Sequence, residues 1–299
     1  MVKNSVRKVL AFFQIFPRAT GKRELQEFLG ADIFKLENET SLQCEQSAGE
    51  TFLALPTAGP DIFKQTAASL QRCKKVLKSA RSWCRHLRLL PHVRGVAVCN
   101  SVAMGTAAEN SDIDLFIVCA PGRVWAARIF VTALLTLLGK RRHGRKVAGR
   151  FCLSFFAGEG HLQFERIKRR FDPFLAFWIS TLKIVCGREA FEQLANANRS
   201  WVKREMGIAL RFENDLPLAQ RPSRWQKMGE RIFGLWFERL CQRLFLPRAR
   251  RKQAALGNKS GTIISKNILK FHDRDRRAFF AKQFARIWQG EIDRGKDST

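Results

Sequence analysis

Two aspartates two positions apart have the residue type and spacing best suited to chemistry in this sequence. Asp112 and Asp114 begin an apolar run that ends at residue 119. Side chains at positions i and i+2 of a β-strand share one face, so both carboxylates point one way while Ile113 and Leu115 point into a core. Ionised carboxylates at the start of a buried strand are costly unless they meet a cation. The pair therefore predicts a divalent metal site, for Mg²⁺ or Mn²⁺, with Asp112 and Asp114 as ligands.

A polar turn separates this strand from a Val-rich run at residues 93–99, which predicts a preceding strand. Asn100 and Ser101 begin the turn, and Ser111 ends it. Nucleotidyl transfer needs divalent metal to neutralise phosphate charge and a turn whose N–H groups and hydroxyl hold the triphosphate. We therefore predict that Asp112 and Asp114 are catalytic, and that Asn100, Ser101 and Ser111 bind nucleotide.

The stretch from residue 98 to residue 118 resembles the nucleotidyltransferase superfamily that includes DNA polymerase beta. The likeness consists of the turn at Ser101, a spacer, and the Asp-hydrophobic-Asp of residues 112–114. It is closest to an uncharacterised prokaryotic branch, and it extends to residues 128–132, 151–154 and 192–196. The resemblance implies metal-dependent transfer of a nucleoside monophosphate from an NTP to an acceptor, which is RNA or another compound.

Two departures from the family pattern leave a second interpretation open. Asn100 stands where the family has glycine, although asparagine tolerates left-handed backbone better than most residues. Catalytic members also place a third carboxylate on a later strand. The strand predicted at residues 151–156 offers Ser154 there, and Glu159 lies just beyond it. The alternative is a catalytically degenerate protein that binds nucleotide or nucleic acid with the same fold.

The charge balance favours polyanionic partners. The chain has 54 lysines and arginines against 26 aspartates and glutamates, a formal net charge of +28 at pH 7. A field of that size attracts nucleic acid or nucleotides, so we expect binding to nucleic acid to be mainly electrostatic. The sequence does not decide the acceptor, the base preference or the oligomeric state.

The cysteines and the apolar segments predict a cytoplasmic protein. No CxxC pair or zinc spacing occurs among the cysteines, so buried free thiols in a reducing compartment are expected. The eight cysteines are Cys44, Cys73, Cys84, Cys99, Cys119, Cys152, Cys186 and Cys241. No signal peptide is expected at the N-terminus. The most apolar segment, residues 129–138, is about half the length of a membrane span, so no membrane partner is expected.

The pattern of elements predicts an α+β fold, with a small polymerase-beta-like mixed sheet flanked by helices. Three domains are expected, at residues 1–60, 61–195 and 196–299. The first is a winged-helix-like module or, alternatively, a structural cap without DNA contact. In it we predict helices at 6–16 and 20–29, Thr20 as N-cap, and strands at 33–36 and 51–55 around a polar tip.

The second and third domains contain a basic helix, the sheet and a helical C-terminal region. The basic helix at 62–90 packs on the core and shows its charged side to solvent or to a polyanion. In the core we predict strands at 112–119 and 151–156, a helix at 124–138 and a basic loop at 140–146. The C-terminal helices are expected at 173–186, 188–204, 224–245 and 273–288, with a mobile connection at 246–262. Core spacing is expected for Met228, Ile232, Leu235, Trp236 and Leu240.

Overall fold

The computed structural model describes residues 2–30, 42–47, 49–212, 222–257, 261–271 and 275–297. Over these residues the chain is an α+β protein. The helices are α1 Val2–Gln14, α2 Lys22–Leu29, α3 Ile62–Cys84, α4 Asn100–Ala103, α5 Val124–Leu137, α6 Pro173–Ser180, α7 Arg188–Met206, α8 Arg224–Ile232, α9 Leu235–Leu256 and α10 Arg277–Asp297. The strands are β1 Thr20–Gly21, β2 Gln43–Ser47, β3 Glu50–Ala54, β4 Val93–Cys99, β5 Ile113–Cys119, β6 Phe151–Gly158, β7 Lys183–Cys186, β8 Thr262–Ile264 and β9 Ile268–Phe271.

A mixed sheet of six strands forms the centre of the molecule, in the order β7-β4-β5-β6-β9-β8. β5 runs parallel to β6 and antiparallel to β4. Beyond Asp114 the β5 sequence is apolar on both faces, because each face of the strand packs into a hydrophobic cluster. Phe116 and Val118 belong to one hydrophobic cluster, and Leu115 and Ile117 belong to the other. The predicted central, buried strand is confirmed.

Phenylalanine fills much of the core on one face of the sheet. This face packs against α1, α6, α7 and α10. The rings of Phe12 in α1 and Phe177 in α6 are stacked with their centroids 3.9 Å apart. The opposite face packs against α3, α5 and α9. The N-terminal helix therefore shares a core with the central sheet.

The N-terminal module consists of α1, α2 and a three-stranded antiparallel sheet in the order β1-β3-β2. Thr20 is not the N-cap of α2, because it pairs with Leu53 in this sheet and Gly21 takes the cap position. β2 lies within the predicted polar tip. Its side chains are largely exposed, so it lacks the alternation that marks a half-buried strand. The strand predicted at 33–36 lies outside the described residues, and the winged-helix assignment stays a prediction.

The C-terminal region is less helical than predicted. Residues 183–186 form β7, which pairs with β4, because α6 ends at Ser180. Residues 246–256 continue α9 through Pro247, where a mobile connection was expected. β8 and β9 then extend the central sheet beyond β6. These strands have only three and four residues, too few to show a strand period in the sequence. The predicted boundary at 195/196 falls inside α7, a continuous helix.

The predicted core stripe of the C-terminal helices faces solvent. Met228, Ile232, Leu235, Trp236 and Leu240 are all exposed, with Trp236 at 57%. A neighbouring stripe of α9 packs on the sheet instead, and its members are Phe237, Cys241 and Phe245. Two apolar stripes at helical spacing stand side by side, and periodicity alone does not tell which one is buried.

The basic helix predicted at 62–90 ends as α3 at Cys84, and a 3₁₀ turn follows at Arg85–Leu89. Cys73, Ala80 and Cys84 are buried against the sheet, whereas the lysines between them are exposed. The predicted packing of this helix on the core is confirmed. Among the described helices, none combines the length and apolar character that a membrane span requires.

A buried glutamate joins the C-terminal region to the core. Glu238 of α9 accepts hydrogen bonds from the backbone N–H groups of Trp125 and Ala126, at 3.3 and 2.8 Å. These groups lie in the first turn of α5, where helix N–H groups have no intrahelical partner and where negative charge is favourable. The Glu238 carboxylate therefore acts as an N-cap supplied by a distant part of the chain.

Replacing Glu238 with alanine is expected to destabilise the protein by about 2–3 kcal/mol, because two buried N–H donors lose a charged acceptor. Urea unfolding followed by circular dichroism measures the change. The matched control is Glu192→Ala, which removes an exposed glutamate paired with Arg188 at i,i+4 and is expected to cost under about 0.5 kcal/mol. Equal effects of the two substitutions would show that Glu238 does not cap α5.

Candidate active site

Three neighbouring strands bring the predicted acidic residues together at one end of the sheet. Asp114 on β5 has Cys99 of β4 and Cys152 of β6 as its Cα partners. Asp112 lies one residue before β5. The nearest carboxylate oxygens of Asp112 and Asp114 and the Sγ atom of Cys152 all lie within 4.8 Å of one another. The predicted convergence of Asp112 and Asp114 on one face of a central strand is confirmed.

Cys152 occupies the third corner of this cluster, which the sequence did not indicate. It was expected to be a buried thiol in apolar company, but it is only half-buried and faces both carboxylates. The register of β6 shifts between the partners of Asp114 and Phe116. Ser154, two residues after Cys152, donates a 3.4 Å hydrogen bond to the Leu115 carbonyl and also lowers the pKa of the Asp114 carboxyl. The parallel pairing of β5 with β6 is what places Cys152 here, and no local pattern encodes that pairing.

The Asp114 carboxyl binds its proton more tightly than an ordinary aspartate does. Burial, and secondly the charge of Asp112, raise the pKa of Asp114 to about 6. Hydrogen bonds from Asn100, Cys152 and Ser154 oppose the rise. Burial and the same two carboxylates raise the pKa of the Cys152 thiol, so this thiol is neutral in the free protein. A cation bound between these groups would reverse the shifts, because opposite charge favours the ionised forms.

The basic loop at 140–146 supplies a cation to this cluster from within the chain. The Nη1 atom of Arg142 lies 2.6 Å from Oδ2 of Asp112 and 3.9 Å from Sγ of Cys152. A backbone hydrogen bond from Arg142 N–H to the carbonyl of Phe151 fixes the loop beside β6. The Arg142 side chain is 45% exposed, so solvent screens the ion pair and a stronger ligand can displace it.

The turn after β4 has the backbone that the sequence predicts. Asn100 has φ of 56°, in the left-handed region that asparagine tolerates. Its side chain hydrogen bonds Asp114. The turn is closed by a 2.8 Å hydrogen bond from the Thr106 N–H to the carbonyl of Ser101. Within the described residues the Ser101 hydroxyl has no hydrogen-bond partner, so it is available to a ligand.

Ser111 has a different role from the other predicted nucleotide-binding residues. Its hydroxyl accepts a hydrogen bond from the Ala108 N–H at 2.9 Å. Its carbonyl accepts another from the Gly149 N–H at 3.0 Å. Ser111 therefore stabilises its own loop and connects it by a hydrogen bond to the loop before β6.

Glu159 is not the third acid of the cluster. It follows Gly158, which pairs with Cys119 at the opposite end of β5. The length of β6 separates Glu159 from Cys152, about 20 Å at the rise of a strand. Its nearest ionic partner is Arg94, at 3.8 Å. The strand predicted at 151–156 extends to Gly158, and this extension carries Glu159 away from the aspartates.

The donor atoms of the cluster fit a divalent metal. Asp112, Asp114 and Cys152 are the only group of three or more closely spaced candidate ligands in the described part of the chain. Mg²⁺ binds to one or two carboxylates together with water and substrate phosphates, a requirement that the two aspartates meet. A thiol in the third position adds a softer donor that suits metals such as Zn²⁺.

Comparison with known proteins gives no relative for this chain. No family model, no curated protein and no solved structure matches it.

Proposed function

We propose that this protein is a metal-dependent nucleotidyltransferase with a polymerase-beta-like core. In this proposal it transfers a nucleoside monophosphate from an NTP to an acceptor. One observation carries the proposal. The Asp112 and Asp114 carboxylates converge on one face of a central strand, beside a turn whose first residue, Asn100, contacts Asp114.

Each residue of the cluster has a role in this function. Asp112 and Asp114 hold a divalent metal, which supplies charge neutralisation at the phosphates. Asn100 orients the Asp114 carboxylate, and the Ser101 hydroxyl donates to the triphosphate. Arg142 keeps Asp112 neutralised in the free protein. With a metal held by Asp112 and Asp114, the exposed guanidinium of Arg142 would be available to pair with a phosphate, a geometry that arginine favours.

The function is tested by incubating the protein with each α-labelled NTP, with Mg²⁺ or Mn²⁺, and with total RNA or a pool of small hydroxyl compounds. We expect label to enter an acceptor and pyrophosphate to be released with at least one NTP. A control without metal is expected to give no transfer. NTP binding without transfer under every condition would contradict the enzyme and support the second candidate function.

The second candidate is a protein that binds nucleotide or nucleic acid without chemistry. It is favoured by the thiol of Cys152, which completes the described cluster in place of a third carboxylate, and by the ion pair of Asp112 with Arg142. On this reading RNA affinity depends on the basic surface. Replacing both aspartates with asparagine would then leave that affinity unchanged, and each phosphate neutralised would add about 0.7 to the slope of log affinity against log salt.

A further inference from the structure

A small cavity lies next to the candidate active site, on the same face of the sheet. Its volume is about 150 Å³, and its walls include Asn100, Phe155, Trp178, Lys270, Arg277 and Phe280. Asn100 is shared with the aspartate cluster, because its side chain hydrogen bonds Asp114. β9, α6 and α10 build the rest of the wall, so the cavity depends on the C-terminal region.

A buried lysine lines this cavity. Lys270 of β9 is opposite Phe155 of β6 in the sheet, and the residue is only 6% exposed. Its ammonium forms no hydrogen bond or ion pair with the part of the chain that the structure describes. Burial, and secondly the charge of Arg277, lower the pKa of Lys270 to about 8, and the Asp275 and Asp172 carboxylates oppose that fall. A buried ammonium in a cavity wall without a hydrogen-bonded partner points to an anionic ligand.

The other charges near the cavity are two arginines and two carboxylates, and both carboxylates also act on Lys270. Arg277 is buried and contacts two carboxylates, Asp172 at 3.0 Å and Asp275 at 3.0 Å. Arg276 is exposed, and its guanidinium lies over the rings of Phe279 and Phe280. Lys270, Arg276 and Arg277 together face the two carboxylates, so one positive charge is left over, and one negative charge on the ligand is sufficient to balance it.

The size and the aromatic lining of the cavity favour a ligand with one aromatic ring. Phe155, Phe174, Trp178 and Phe280 supply aromatic surface, with Phe174 and Phe280 stacked at a centroid distance of 4.8 Å. An apolar cavity of about 150 Å³ accommodates one six-membered aromatic ring. A neutral nucleobase would fill this space but would leave the Lys270 charge unbalanced. A free phosphate would balance the charge but would leave the aromatic walls uncovered.

We propose that this cavity is a binding site for a small aromatic acid. The carboxylate pairs with the Lys270 ammonium, and the ring packs against Phe155, Trp178 and Phe280. The proposal stands apart from nucleotidyl transfer, because the ligand contacts Lys270 and the aromatic walls, and Asn100 is the wall residue shared with the aspartate cluster.

The test is calorimetric titration of the metal-free full-length protein with benzoate, and with benzyl alcohol as the neutral analogue. We expect saturable benzoate binding at millimolar concentration or below, at least about tenfold tighter than benzyl alcohol. Lys270→Met should weaken benzoate binding by about tenfold to a hundredfold, since a charged hydrogen bond is lost, and should leave benzyl alcohol binding unchanged. Lys282→Met, on the exposed side of α10, is the matched control and should bind benzoate like the wild type.

Stability measurements show whether weak benzoate binding by Lys270→Met comes from loss of the ammonium or from loss of the fold. Thermal unfolding of Lys270→Met should occur at the same temperature as the wild type or higher, because an unpaired buried charge is removed. Lys270→Gln also removes the charge, and it is used in place of Lys270→Met if the methionine variant does not fold. Equal benzoate affinity in the wild type and either variant, or no saturation of the wild type, would overturn the site. Absence of NTP turnover would bear on the proposed function alone.

Discussion

Replacing Asp112 or Asp114 with asparagine is expected to reduce nucleotidyl transfer at least about a hundredfold while the protein remains folded. Under the proposed function, either change would remove a hard oxygen ligand from the bound metal, and metal stabilisation of the transition state is worth several kcal/mol. Initial rates with labelled NTP measure the loss. Asp61→Asn, at an exposed position before α3, is the matched control and should retain wild-type activity. Transfer that persisted in the double variant would show that the chemistry lies elsewhere.

The same substitution at Asp114 has an expected effect on stability that depends on pH. The folded-state pKa of Asp114 is about 6, above its ordinary value of 3.8, so the folded protein holds this proton more tightly than the unfolded chain does. Wild-type stability therefore falls as the pH rises from 3.8 towards 6, and it stays lower above that range. Without metal, Asp114→Asn should be more stable than the wild type at neutral pH, by about 1–3 kcal/mol. The reason is that the asparagine has no ionised carboxylate to bury.

Urea unfolding in the absence of metal checks this expectation at neutral pH and at a pH below 3.8. The advantage of Asp114→Asn should disappear at the lower pH, because the wild-type carboxyl is then protonated in both states. Adding the metal at neutral pH should stabilise the wild type more than the variant, because binding to the folded state shifts the equilibrium. An Asp114→Asn protein that is less stable than the wild type at neutral pH would contradict an unfavourable buried charge at Asp114.

Cys152→Asp is expected to raise Mg²⁺-supported transfer about tenfold and to weaken Zn²⁺ binding by about tenfold to a hundredfold. A carboxylate on β6 would give Mg²⁺ a third hard ligand, whereas the thiol favours Zn²⁺. In the free protein the pKa of Cys152 is raised by burial and by the two aspartates, so a metal must displace its proton. Zn²⁺ binding should therefore release protons and strengthen as the pH rises.

Transfer rates with Mg²⁺ and calorimetric titration with Zn²⁺ measure the two effects separately. The second readout does not require that the protein be an enzyme. Cys44→Asp is the matched control, because Cys44 is exposed on β2 and far along the chain from the cluster. Cys152→Ala should weaken Zn²⁺ binding without raising the rate with Mg²⁺. Zn²⁺ affinities that were the same in the wild type and Cys152→Ala would exclude the thiol as a ligand.

Local sequence patterns were sufficient to predict the part of the candidate site that lies close together in the chain. The i and i+2 spacing put Asp112 and Asp114 on one face, because side-chain alternation is a property of any strand. The left-handed backbone of Asn100 followed from the short list of residues that tolerate it. The positions of β4, β5, α5 and α7 also followed from strong apolar patterns, which report the period of an element and its buried face.

The distant residues that complete the site are brought there by strand pairing and packing, which only the three-dimensional structure shows. Cys152 faces the aspartates because β6 pairs in parallel with β5, and the same register carries Glu159 to the far end of the sheet. Lys270 reaches its cavity on β9, a strand of four residues with no recognisable local signal. Trp236 is exposed because the neighbouring stripe of α9 packs on the sheet instead. Register and the choice between two apolar stripes depend on packing between segments far apart in the chain, which no local pattern encodes.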